Sequence, residues 1–299
     1  MFHQKSYGRH GEWYNHHFPT DTDKENYYDL KRSAGKNTIA SWLQQLFYTC
    51  IDPLMDRSKP SWLTIGDAYG FDAQYLASAG AEVLATDLNG DFLKVALAQQ
   101  IITKYAAENA EQLSFDDQSF DYVLCKESYH HFPRPYAALY EMIRVAKQGI
   151  VIIEPQDPVS KMPALLFLTN LLSKKSKLLE KVWKNRFSYE PVGNFVYKVS
   201  EREFEKFAAG LNLPMVAFKR INPNFYNKDF ENIVADPAVG KFRILRLKKK
   251  LLDLLVSLKI IPGQVLSAII FKQMPDENTQ RALKDNNYRL LLIPSNPYL

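Results

Sequence analysis

The chain has little sulfur chemistry available to it and no long apolar run. Its two cysteines, Cys50 and Cys125, stand far apart in unlike surroundings. They form neither a metal-ligand pair nor the framework of a disulfide-stapled domain. Reduced thiols in a cytoplasmic protein are the simplest reading. No apolar stretch approaches the roughly 20 residues needed to span a bilayer. The opening M-F-H-Q-K-S-Y-G-R-H lacks the apolar core of a signal peptide. No internal repeat or low-complexity segment is present. A net charge of +5 over 299 residues is mild and gives no reason by itself to expect nucleic acid.

What is present is an ordinary globular composition, 46% apolar and 24% charged, enough to bury a full core. The first 33 residues carry Trp13, Tyr14, His16, His17, Phe18, Tyr27 and Tyr28 and read as irregular structure or short helices. Residues 36–49 then place Ile39, Leu43, Leu46 and Phe47 at helical spacing, with Trp42 beside them. From residue 61 strands and helices alternate. Trp62–Ile65 reads as a strand, Ala73–Ala79 as a helix closed by Gly80, Glu82–Thr86 as a strand and Asn89–Gln100 as a helix. Phe120–Cys125, a helix over Tyr136–Val145 and the strand Ile150–Ile153 follow. This alternation predicts βαβ units and a parallel sheet covered on both faces.

The pattern changes after Pro155. Residues 157–198 read as a helical, Lys-rich insertion with a glycine turn at P-V-G-N-F. Ser200 and Glu203 have capping-box spacing at the start of a helix that ends near Gly210. Met215–Ile221 and Val265–Gln273 read as strands, and Glu277–Pro294 as one more helix and strand. The expected organisation is therefore a helical cap or lid over 1–57, a Rossmann-like core over 58–156, a helical acceptor lid over 157–198, and a C-terminal completion of the sheet over 199–299. The fold class is α/β, doubly wound, with a mostly parallel seven-stranded sheet and an antiparallel last strand.

The stretch T-I-G-D-A-Y-G-F-D-A at 64–73 joins the first strand to its helix. Such a turn presents backbone N–H groups and the positive end of a helix to a ligand, and glycine lets the ligand approach. The dinucleotide pattern G-x-G-x-x-G would put Gly66 first, Ala68 second and Phe71 third, so two of its three glycines fail. Phe71 would also crowd the helix–strand contact that the third glycine serves. The spacing G-x-G-x-G maps to Gly66, Ala68 and Gly70, with only the middle residue changed.

Residues 62–157 resemble a class I S-adenosylmethionine-dependent methyltransferase of the small-molecule, methyltransferase-11-like type. Four stations carry the resemblance in order: W-L-T-I-G-D-A-Y-G; V-L-A-T-D-L-N; N-A-E-Q-L-S-F-D-D-Q-S-F-D-Y-V-L-C; and K-E-S-Y-H-H-F-P-R-P with the strand G-I-V-I-I-E-P. It implies S-adenosylmethionine as cofactor, Gly66, Asp67, Ala68, Gly70 and Asp72 in its loop, Asp87 at its ribose, and Leu88 beside Asp87 among the cofactor-binding residues. It further implies Asn109 and Ala110 at its adenine, and Lys126 and Glu127 at the end of strand four. The family commonly has Asp or Glu at Thr64, near the cofactor's amino group. Threonine departs from that, and Asp67 or Asp72 could compensate.

Methyl transfer from a sulfonium requires alignment of the nucleophile and, for a hydroxyl, removal of its proton. His130 and His131 follow strand four, where open α/β sheets bind ligands, and either could act as base or merely pack against the cofactor. Glu154, ending strand five, is a third catalytic candidate, with a capping role beside Pro155 as its plain alternative. His16, His17, Trp13 and Tyr14 could form a lid. His3, His10, His16 and His17 have no ligand spacing that supports a metal, and none is expected.

One segment is one-sided in charge. K-F-R-I-L-R-L-K-K-K at 241–250 has six basic residues and no acidic one, and leucines follow to 258. It reads as a basic amphipathic helix. Through 241–259 it could lie on an anionic membrane, face an anionic substrate, or simply dock with a solvated lysine face. The acceptor implied is a small molecule, a sugar or other natural-product intermediate, methylated on oxygen or nitrogen. Two alternatives stand beside it: a non-catalytic cofactor-binding protein, or a nucleic-acid methyltransferase. The second lacks the N/D-P-P-Y/F tetrapeptide of base amino methylation, since K-E-S-Y stands there, so no nucleic acid is expected.

Overall fold

The structure, a computed structural model, describes residues 2–33, 37–55, 59–157, 167, 171, 188–190, 193–223, 228–258 and 260–298. Its strands are β1 Ser61–Ile65, β2 Glu82–Asp87, β3 Tyr105–Ala107, β4 Phe120–Lys126, β5 Ala146–Pro155, β6 Met215–Ile221, β7 Val265–Phe271 and β8 Arg289–Leu292. They form one sheet in the order β3-β2-β1-β4-β5-β7-β6-β8. The first five run parallel. β7 is wedged antiparallel between β5 and β6, and β8 pairs antiparallel with the outer side of β6. The sheet thus has eight strands where seven were expected. The additional one, β3, is a three-residue edge strand, too short to show an alternation in sequence.

Alternate residues of the central strands feed opposite cores, as the two-residue period of a strand requires. Trp62, Leu124, Val151 and Ile153 enter one cluster, and Leu63, Val123, Cys125, Ile150 and Ile152 enter the other. Both faces being covered, these strands read as continuous apolar runs rather than alternating ones. On the first face pack α4 Phe71–Ser78, α5 Asp91–Ala98 and α9 Glu277–Asp285; on the second, α6 Pro135–Val145 and α7 Glu201–Gly210. Ser200 and Glu203 form the expected reciprocal cap of α7. Cys50 and Cys125 are free and buried, one in each core.

The N-terminal region is more regular than its sequence suggests. It forms two helices, α1 Phe2–His17 and α2 Asp21–Ser33, followed by α3 Ile39–Tyr48. Thr38 caps α3 by accepting the Ser41 N–H at 3.2 Å. Farther along, Gly193 turns at φ +93° with its N–H on Glu190 O at 2.8 Å. The Lys-rich helical insertion expected within 157–198 lies mostly outside the described residues. The basic segment is a single helix, α8 Gly240–Ser257. Among the described residues no helix is long and apolar enough to cross a membrane.

Candidate functional site

A cavity of about 1000 Å³ opens at the C-terminal ends of β1, β2 and β4, roofed by α1, α2 and α3. This is where an open parallel sheet leaves a crevice. Of the twelve residues expected to hold a cofactor, ten line it: Gly66, Asp67, Ala68, Asp72, Asp87, Leu88, Asn109, Ala110, Lys126 and Glu127. Gly70 and Thr64 do not.

Gly66 and Gly70 both adopt left-handed backbone, φ +69° and +73°, which only glycine enters freely. A Cβ on Gly66 would stand 2.4 Å from the Ser128 Cβ, and one on Gly70 would stand 2.8 Å from Ile102 Cγ2. Gly66 therefore brings β1 and β4 close together beneath the cavity, while Gly70 shapes the loop from behind. Ala68, at the middle position of the G-x-G-x-G spacing, sits at the wall.

Asp67 is occupied by its own helix. Its carboxylate accepts the N–H groups of Asp72 at 3.2 Å and Ala73 at 2.8 Å, and the Thr64 hydroxyl donates to it at 3.1 Å. Two of the unpaired donors at the start of α4 are thereby satisfied. Burial, reinforced by the charge of Asp72, raises the Asp67 pKa above the usual carboxylate range. Thr64 is buried and reaches Asp67 rather than the cavity. The position where a carboxylate was expected thus serves the loop and not a ligand.

Asp87 is differently placed. Its Oδ1 accepts the Asn89 N–H at 2.9 Å, and His10 Nε2 approaches the same oxygen at 3.5 Å. Among the described residues Oδ2 takes no hydrogen bond, and His10 Nε2, buried, makes none beyond this approach to Oδ1. A carboxylate with acceptor capacity left over, at a cavity wall, suits a vicinal diol. Asn109 turns its Oδ1 onto the Glu111 N–H at 3.0 Å and so shapes its own loop. The free acceptor capacity of Asp87 fits the ribose hydroxyls of S-adenosylmethionine.

At the opposite end Lys126 Nζ lies 3.2 Å from Asp72 Oδ1 and 3.9 Å from Glu127. The Tyr48 hydroxyl donates to the same Asp72 oxygen at 3.2 Å. Burial alone would lower the Lys126 pKa, but Asp72 and Glu127 outweigh it and hold it above the ordinary lysine value. Burial likewise pushes Glu127 up against the pull of Lys126. Glu127 occupies the left-handed region at φ +52°, a strained conformation of the kind that collects at ligand sites. This end holds one cation and two carboxylates, which suits the zwitterionic end of an amino acid.

The three catalytic candidates separate. Glu154 is fully buried and does not line this cavity; its Oε1 accepts the Ser128 and Tyr129 N–H groups, both at 2.7 Å, and its Oε2 meets His130 Nδ1 at 2.5 Å. It anchors the turn at the end of β4. Burial would lower the His130 pKa, but Glu154 and Glu190 reverse this and raise it. His130 does not line the cavity either. His131 does, and its Nδ1 pairs with Glu190. Among the described residues His130, His131 and Glu190 are also the close group of metal-capable side chains, their ligand atoms within 4.8 Å of one another, whereas His3, His10, His16 and His17 form none.

Sequence reading missed Tyr7, Glu111 and Arg134. Glu111 accepts from the Tyr7 hydroxyl and from Arg134 Nε, both at 2.5 Å, and from the Arg134 N–H at 2.8 Å. This network clamps α1 over the cavity. A signal existed: Tyr7, His10 and Tyr14 fall at helical spacing on one face of α1, and all three line the cavity. Tyr14 packs against Tyr69 and Phe92, and burial raises its pKa. Trp13 and His17 stack on each other outside, and neither reaches the cavity.

Residues 63–153 match the model of the methyltransferase domain, so the segment from β1 to β5 is such a domain, with the class I fold that the resemblance implied. A demethylmenaquinone methyltransferase of Paenarthrobacter aurescens is 30% identical over 129 residues, 42% of this chain and 51% of that protein. A ubiquinone biosynthesis O-methyltransferase of Xanthomonas oryzae is 33% identical over 100 residues, 32% of this chain and 42% of that one. The chain spans about half the length of the first of these relatives and less of the second. A phosphoethanolamine N-methyltransferase of Haemonchus contortus, solved with phosphomonomethylethanolamine and S-adenosylhomocysteine, shares the fold at 19% identity. Its TM-score is 0.50 over 87% of this chain and 59% of that one.

Proposed function

We propose that the chain is an S-adenosylmethionine-dependent methyltransferase that acts on a small-molecule acceptor. The observation that carries the reading is one connected cavity lined by the Gly66–Ala68 turn, the under-occupied Asp87 and His131, whose Nδ1 is paired from outside the lining by Glu190. S-adenosylmethionine would supply a methyl group on a positively charged sulfur. Asp87 would hold its ribose, Ala110 and Leu88 would flank its adenine, and Lys126 with Asp72 would face its amino-acid end. With Nδ1 held by Glu190, the His131 ring has Nε2 left to take a proton from an acceptor, and Glu190 would stabilise the imidazolium that results. Glu154 and His130 would act indirectly, by fixing the turn that carries His131.

Tyr7, Tyr14, Tyr27, Tyr69 and Phe71 also line the cavity, and aromatic walls favour flat apolar ring systems. That lining, with relatives named for demethylmenaquinone and ubiquinone biosynthesis, favours an aromatic hydroxyl compound over a sugar. Titration calorimetry with S-adenosylmethionine and S-adenosylhomocysteine tests the cofactor, and no heat at millimolar ligand would sink the reading. Transfer from labelled cofactor to phenolic acceptors tests the chemistry. His131→Ala should lower turnover on the order of 100-fold with cofactor affinity unchanged. Binding without transfer to any acceptor would leave a non-catalytic binding protein instead.

A further inference from the structure

Helix α8 is apolar on two opposite sides. Phe242, Leu245 and Val256 are buried, and the first two close a small core with Ile39, Trp42, Phe230 and Ile233. On the other side Ile244, Leu247, Leu251, Leu254 and Leu258 stand 53–61% exposed. Their spacing of three and four residues makes one straight stripe. A fully solvated face would not carry five large aliphatic side chains in register.

The charges flank that stripe. By helical geometry Lys241 and Lys248 fall along one edge of it, and Arg243 and Lys250 along the other; all four are exposed. The acidic residue in the helix, Asp253, is held by Lys249 at 2.6 Å and by Asn222 at 2.7 Å. An aliphatic stripe with cations on both edges matches a bilayer with anionic headgroups: the leucines enter the acyl boundary, and the lysines reach the phosphates above it. A second copy of the chain fits worse, because two such faces would bring cation against cation.

We propose that α8 seats the protein on anionic lipid bilayers through this stripe. The helix packs on α3 and the 230–235 segment, which also supply Ser41, Gln44, Glu231 and Asn232 to the cavity wall. The docked face lies one layer behind that side of the cavity. The proposal is independent of the catalytic reading.

Flotation with phosphatidylcholine vesicles, with and without one-third phosphatidylglycerol, tests it on the full chain. The wild type should float with the anionic vesicles, remain below with the neutral ones, and release as salt rises. Leu247→Gln/Leu251→Gln/Leu254→Gln should weaken partition at least about tenfold. Lys248→Gln/Lys250→Gln should weaken it roughly twenty-five-fold, near fivefold per charge. Since these side chains point outward, the circular dichroism and melting temperature of both variants should match the wild type. Three results would overturn the proposal: equal partition on neutral vesicles, a leucine variant that floats like the wild type, or a wild-type dimer that the leucine variant abolishes.

Discussion

Two buried aspartates sit at the ends of neighbouring strands, Asp67 just beyond β1 and Asp87 at the end of β2, and they behave oppositely. Asp67 is surrounded by donors from its own chain and is saturated by them. Asp87 takes a single backbone N–H and keeps one oxygen free of hydrogen bonds among the described residues. Both look alike in sequence, as acidic residues at a glycine loop and a strand end. The distinction comes from the path of the chain just beyond each one. After Asp67 the chain turns at Gly70 straight into α4, so the first helical N–H groups point back at the carboxylate. After Asp87 the chain enters α5 at the same four-residue offset, at Asp91, but the Asn89 side chain accepts the Asp91 N–H at 2.8 Å, so the start of that helix is claimed by Asn89 and not by Asp87. A carboxylate at a strand end keeps acceptor capacity for a ligand when its own helix does not claim it.

The largest effect should come at the end where the charges already pair. Lys126→Met would leave Asp72 buried with, among the described residues, only the Tyr48 hydroxyl, and breaking one partner of a buried pair costs about 3 kcal/mol. Urea unfolding at constant m-value measures it; an unchanged midpoint would mean that this end is not internally satisfied and that the contrast with Asp87 is overstated. Next comes Asp87→Ala. Losing two charge-assisted hydrogen bonds to a diol should weaken cofactor binding on the order of 100-fold, about 2.7 kcal/mol. Stability should change by less than about 1 kcal/mol, and calorimetry beside thermal melts separates the two. Unaltered affinity would remove Asp87 from the site and dissolve the comparison.

The sheet and the cofactor side of the cavity were legible in the sequence because strong local signals specify them. Long apolar runs mark β1, β4 and β5, and glycines mark a turn that Ser128 and Ile102 leave no room to change. The roof was not legible in the same way. Helix α1 contains Gly8 and Gly11 and has no aliphatic stripe; it is held by polar and aromatic contacts of Tyr7, His10 and Tyr14 to residues some eighty to one hundred positions away or at the ends of other strands. Periodicity scales look for greasy faces and pass over such a helix. The roles of His130, His131 and Glu154 were open for a related reason. Which histidine faces a cavity depends on a single 3-10 turn at Tyr129–His131, and Glu154 fixes that turn from the far side of β4.

The smallest effect concerns Asp67→Asn, and its sign tests whether Asp67 belongs to the fold alone. Burial and the Asp72 charge push the wild-type carboxyl up to about 7, against about 3.9 in the unfolded chain. Between those values the folded protein holds a proton that the unfolded chain has released. This group's contribution is therefore fully present below about pH 4 and is lost as pH rises through about 7. Asparagine cannot ionise, so the variant lacks that decline, although its amide oxygen can still accept the Ala73 N–H. Measured as the difference between wild type and variant, which cancels every other titrating group, unfolding free energy should shift in the variant's favour by about 2 kcal/mol from pH about 5.5 to about 7.5. Cofactor affinity should be the same for both at either pH. Should Asp67→Asn weaken binding as far as Asp87→Ala does, then Asp67 reaches the ligand as well as its helix, and the two aspartates are partners rather than opposites.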